Sequence, residues 1–124
     1  MPLILVADDD RKICGWLRAL IEGEGYQVTE AADSRQALMT APRESRDLVI
    51  FDVYPDGLDT IPHFRQRQPP VTVLVIFGQP IQGYDLLKIA AIFGAHLTLE
   101  NPFSVDRLLL GVRAVVGTAQ RRAA

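Results

Sequence analysis

With 124 residues, of which 48% are hydrophobic and 23% charged, the chain has the size and balance of one soluble globular domain, which excludes a disordered polymer and a second core. Its formal charge of −2 supplies no basic field for a phosphate backbone, so nucleic acid is not expected as a partner. The single cysteine, Cys14, excludes an internal disulfide, a zinc finger and a dithiol redox pair, and suits a reducing, cytoplasmic setting.

The first apolar run, Leu3 to Ala7, is followed at once by Asp8, Asp9 and Asp10. It lacks the basic start and the length of an export signal, and reads as a strand. Asp10 is placed to cap a helix from Arg11 to Gly23. There Ile13, Trp16, Leu17, Leu20 and Ile21 recur at helical spacing and predict one apolar stripe, with Trp16 in the core. The more polar run Val28 to Ala32 predicts a second strand, and Ser34 a cap for a helix that ends near Ala41, before Pro42. Leu48 to Phe51 is the third strand, directly ahead of Asp52, and a helix over Leu58 to Arg67 is interrupted by Pro62.

Val71 to Phe77 predicts a fourth strand, with a loop at Gly78, Pro80 and Gly83. Leu86, Ile89, Ala90 and Phe93 then mark a helix closed by Gly94. A short fifth strand follows over His96 to Leu99, and Ser104 caps a last helix whose inner face carries Val105, Leu108, Leu109, Val112 and Val116. The domain is expected to occupy residues 1–118, with 119–124 as a short tail. No run reaches the ~18 to 20 apolar residues that span a bilayer, so no membrane association is expected. His63 and His96 lie apart from the acidic residues and are expected in surface or structural roles.

Alternation of strand and helix five times over predicts an α/β domain, a doubly wound parallel sheet with helices on both faces. In such sheets the working crevice lies beyond the carboxyl ends of the strands. Asp8, Asp9 and Asp10 follow the first strand and Asp52 the third, so adjacency of those strands would gather carboxylates on one rim. Like charges there repel unless a cation neutralises them, and hard oxygen donors favour Mg²⁺. A carboxylate beside such a cation suits the nucleophile of a phosphoryl transfer. An aspartate at a strand end also serves as a helix cap. For Asp10 the cap is favoured; for Asp8, Asp9 and Asp52 their joint placement after two different strands favours chemistry.

The segment Ile4-Leu5-Val6-Ala7-Asp8-Asp9-Asp10 resembles the first strand and acidic pair of response-regulator receiver domains. Further matches are Gly25-Tyr26-Gln27-Val28 with Glu30-Ala31-Ala32-Asp33 and Gln36-Ala37-Leu38, the run Asp47 to Asp52, Gly94-Ala95 and Pro102-Phe103. The resemblance covers nearly the whole chain. It implies a flavodoxin-like sheet of five strands in the order 2-1-3-4-5 and a role in phosphorelay signalling by protein contact, without enzyme activity. It also implies Asp52 as phosphoacceptor, with Mg²⁺ held by Asp8, Asp9, Asp52 and the backbone carbonyl of Tyr54. The implied partners are a sensor histidine kinase or histidine phosphotransfer protein, a downstream protein target, and a second copy joined through the fourth and fifth helices. The absence of an output domain after Thr118 suits either a stand-alone receiver or a piece of a longer regulator.

Three positions depart from the family pattern. Phe77 stands where the fourth strand usually ends in Thr or Ser, Asn101 where a Lys precedes the Pro-Phe pair, and Thr98 where an aromatic ring is usual. Asn101 can donate a hydrogen bond but brings no charge, and Glu100 beside it adds the opposite sign. Pro55 also sits one residue off its usual place. Two readings therefore stay open: a working receiver, and a pseudo-receiver that binds partners without phosphorylation. A dehalogenase-like phosphatase is set aside, because its motif wants a second Asp where Tyr54 stands.

Overall fold

In the computed structural model, residues 3–8, 10–40, 48–52, 60–66, 71–77, 85–100 and 103–123 are described. Strand β1 (Leu3–Ala7) lies between β2 (Gln27–Ala31) and β3 (Leu48–Asp52), and β4 (Thr72–Phe77) and β5 (Leu97–Glu100) extend the sheet beyond β3. The order is β2-β1-β3-β4-β5 and every pairing is parallel, as the resemblance implies. The register runs Ala7↔Ala31 and Ala7↔Phe51 on the two sides of β1, Asp52↔Ile76 between β3 and β4, and Phe77↔Glu100 between β4 and β5.

The two-residue alternation of the strands splits the core into two layers. Ile4, Val6, Leu48, Ile50, Leu74 and Ile76 pack under α1 (Arg11–Glu22) and α5 (Val105–Ala123) against Cys14, Leu17, Ile21, Leu108 and Val112. Leu5, Ala7, Val49, Val73 and Val75 face the other way, toward Ala37 of α2 (Ser34–Thr40), Ile61 and Phe64 of α3 (Ile61–Arg65) and Ala90 of α4 (Leu86–Phe93). The inner strands are thereby covered on both faces, which is why they are continuously apolar in sequence.

Several local expectations are corrected. The buried face of α1 is Cys14, Leu17 and Ile21, spaced i, i+3, i+7, while Ile13 and Trp16 fall on its flank. Trp16 is 43% exposed rather than core; one side of its indole packs on Phe103, with ring centroids 6.4 Å apart. Val105, expected on the inner face of α5, is likewise exposed. The cap of α2 is Asp33, whose carboxylate accepts the Gln36 N–H at 2.8 Å, so Ser34 is the first helical residue instead. Pro62 does not interrupt α3; it sits in the first turn, where a missing N–H costs nothing. The backbone of α5 stays helical to Ala123, through the expected tail.

Other end signals act as read. Ser104 Oγ accepts the Arg107 N–H at 3.1 Å, and Gly94 closes α4 in the left-handed conformation at φ 111°. His96 is structural: its Nδ1 accepts the Val73 N–H at 3.0 Å, and the Arg65 guanidinium lies against its ring at the amino end of β5. Gly111 lets α5 approach the sheet, since a Cβ there would stand 2.6 Å from Leu97 Cδ2.

The packing predicts that Phe64→Ala, at a fully buried site, lowers the unfolding free energy by about 3–5 kcal/mol. Ile92→Ala, at a side chain 79% exposed, should change it by less than about 0.5 kcal/mol. Urea midpoints of the two variants, at constant slope, check both values.

Candidate functional site

The carboxyl end of β1 is fixed at several atoms of one residue. Past Ala7 the Asp8 N–H still donates to the Ala31 carbonyl at 3.2 Å, so the β1–β2 ladder continues one step beyond the strand. The Asp8 carbonyl accepts the Cys14 thiol at 3.3 Å, and Asp8 Oδ1 accepts the Asp10 N–H at 2.8 Å. Asp10 in turn caps α1, its carboxylate accepting from the N–H groups of Lys12 at 2.9 Å and Ile13 at 3.4 Å. The capping role read for Asp10 therefore holds, and it leaves Asp8 as the side chain of the group nearest the strand end.

Because Ala7 pairs with Phe51, positions 8 and 52 stand side by side at the carboxyl ends of adjacent parallel strands, which run about 4.8 Å apart. Position 52 continues the series Leu48 and Ile50, whose side chains are buried on the α1 and α5 face. Asp52 is described by its backbone alone. Asp9, Tyr54 and Asn101 lie outside the described residues. Among the described residues, no three His, Cys, Asp or Glu side chains form a metal cluster. The donor chemistry at the rim nevertheless suits a hard cation: Asp8 offers carboxylate oxygen, and the one soft atom nearby, Cys14 Sγ, is occupied as a donor to the Asp8 carbonyl.

Asp8 also lines a cleft of about 320 Å³ on the β2 side, together with Arg11, Cys14, Glu30, Ala31, Ala32 and Gln36. Cys14 is 2% exposed at its floor. Burial pushes its thiol up to about 11, and the charges of Asp8 and Glu30 push the same way. Glu30 is held by Arg18 at 3.0 Å, and Arg18 also reaches Glu22 at 3.1 Å; hydrogen bonds to these carboxylates raise the guanidinium above its ordinary range.

At the far side of the rim, β4 ends at Phe77, opposite Glu100. This fixes Phe77 by backbone register at the end of β4, so that strand ends without a hydroxyl. Thr98 pairs with Val75, one step of the same alternation back. Sequence reasoning missed the thiol tie to Asp8 and the ring contact of Trp16 with Phe103. The only signal for the first was an apolar thiol four residues after a cap, on the turn of α1 that faces the strand end.

The chain belongs to the response regulator receiver family, whose profile, described as the response regulator receiver domain, matches residues 4–113. Over 120 residues it is 35% identical to the transcriptional regulatory protein CpxR of Escherichia coli strain K12 and 34% identical to CpxR of Klebsiella pneumoniae, covering 94% of this chain and 50% of each relative. The chain thus spans about half the length of these curated relatives. A solved response regulator from Thermotoga maritima superposes with a TM-score of 0.83 at 27% identity, covering 94% of this chain and 98% of that one. NtrX from Brucella abortus, solved with ADP, gives 0.86 at 27% identity, covering 99% of this chain and 28% of that one. The molecule is a receiver domain of two-component signalling, with the flavodoxin-like sheet of that family, and receivers generally bind Mg²⁺ at the phosphorylation site. No helix among the described residues is long and apolar enough to cross a membrane.

Two measurements test this end of the molecule. Asp10→Ala removes the cap of α1 and should cost about 1 kcal/mol in urea unfolding. Folding holds the Cys14 thiol protonated, so its contribution is complete below the ordinary thiol value of 9.0 and is lost as the pH rises toward about 11. The wild type should therefore lose stability relative to Cys14→Ala as the pH rises from 9.0 to about 11.

Proposed function

We propose that Asp52 accepts a phosphoryl group from a sensor histidine kinase or a histidine phosphotransfer protein, and that the domain then signals through a changed contact with a downstream protein rather than by turning over a substrate. The observation that supports this most is the Ala7↔Phe51 register, which sets Asp8 beside Asp52 at the sheet's carboxyl edge. In this reading an Asp52 carboxylate oxygen attacks phosphorus, a P–O bond forms as the donor's P–N bond breaks, and the imidazole leaves. Asp8, Asp9, the Asp52 carboxylate and the Tyr54 carbonyl would hold Mg²⁺, which when bound neutralises charge on the transferred oxygens. A cytoplasmic location and pairing of two copies through α4 and α5 belong to the same proposal.

A second reading, a pseudo-receiver that binds partners without phosphorylation, is favoured by one observation: β4 ends at Phe77 beside Glu100, with Asn101 next in sequence. A transferred phosphoryl group then meets neither a hydroxyl at the end of β4 nor an ammonium after β5, both of which would donate to its oxygens.

Incubation with acetyl phosphate and Mg²⁺, read by intact mass, separates the two. One added phosphoryl group is expected, and Asp52→Asn should abolish it. A wild type that takes no adduct, with an Asn101→Lys variant that does, would establish the pseudo-receiver.

A further inference from the structure

Cys14 is buried at the junction of α1, β1 and β2, and the phosphoryl chemistry proposed above gives it no part. Its thiol reaches two carbonyls, that of Asp8 at 3.3 Å and, more weakly, that of Ala31 at 4.0 Å. Ala31 also accepts the Asp8 N–H. The thiol therefore bridges the two strand ends from within the first turn of α1, at the backbone of Asp8 itself.

We propose that Cys14 is a positioning residue for the cation site, fixing the Asp8 backbone at the carboxyl end of β1 through its hydrogen bond to the Asp8 carbonyl. This rests on the reading of Asp8 as a Mg²⁺ ligand. The tie works together with the Asp10 N–H, which holds Asp8 Oδ1 at 2.8 Å: one bond fixes the backbone of Asp8 and the other fixes its carboxylate. Groups one bond removed from a metal ligand set its orientation and so its affinity. A thiol is a weak donor, which places the effect at the low end of what such groups contribute.

The test compares wild type, Cys14→Ala and Cys14→Ser as folded, full-length chains. Mg²⁺ affinity is read by titration of amide resonances, and amide exchange of Asp8 is read without metal. Cys14→Ala should weaken Mg²⁺ by roughly three- to tenfold and speed Asp8 exchange, while Cys14→Ser, which keeps a donor, stays within about twofold of wild type. Thermal unfolding of each variant separates this from loss of fold, since a purely structural thiol would lower the melting temperature without changing Mg²⁺ affinity at a temperature where all three are folded. Equal affinity in wild type and Cys14→Ala overturns the positioning role while leaving the acceptor site standing. Equal weakening in Ala and Ser overturns it too, because packing and not the donor would then be responsible. A wild type with no saturable Mg²⁺ binding overturns both the role and the reading of the rim.

Discussion

Parallel pairing of β1 with β3 is the constraint from which the site follows. The chain leaves β1 through α1 toward β2 on one side and returns to β3 on the other, so the two central strands end at the point where the winding reverses. In parallel sheets wound this way, ligands bind at that point, beyond the carboxyl ends of the strands. The pairing also fixes phase. A slip of one residue between β1 and β3 would exchange the faces of every side chain on one strand and set Asp8 beside Phe51 instead of Asp52. The apolar layers under α1 and α5, and over α2, α3 and α4, resist that slip, because it would drive Leu48 and Ile50 out of one core and Val49 out of the other. The acidic rim is therefore maintained by hydrophobic packing several residues away.

The rim combines hard and soft chemistry in a definite order. Carboxylates stand at its edge, where water can solvate them, and the thiol stands beneath, shielded from water and neutral. A thiolate at that depth would face Asp8 and Glu30 as well as the loss of hydration, and both effects favour the protonated form. The proton is what makes Cys14 useful, since only S–H can donate to the Asp8 carbonyl. Arg18 serves the same edge differently, binding Glu30 of β2 and Glu22 of α1 at an exposed surface, where the pairs orient more than they stabilise.

Much of the architecture was legible because it rests on patterns that few arrangements satisfy. Three apolar runs and a more polar one, each followed by a helical period, leave little but a sheet covered on both faces, and an aspartate after the first and third of the four marks the edge where chemistry belongs. What escaped were choices between near-equivalent neighbours. Asp33 and Ser34 can both cap a helix, and the acid that starts one residue earlier does so. Ile13 and Trp16 lie within one residue of the buried stripe, and the small thiol of Cys14 fits the strand end where an indole would not. Pro62 was read as a break because its distance from the helix start was unknown; at the second helical position it is harmless. Asn101 is located in sequence by Pro102-Phe103 and Phe77 by the run of the fourth strand, and register sets Phe77 at the end of β4.

The notch at Gly111 bears on how motion would travel through the molecule. Leu97 Cδ2 occupies the space that a side chain at position 111 would take, so α5 and β5 are in close contact there. Close-packed elements transmit strain in place of absorbing it. A displacement begun at the end of β5, three residues along at Glu100, would thus be felt by α5 through this contact.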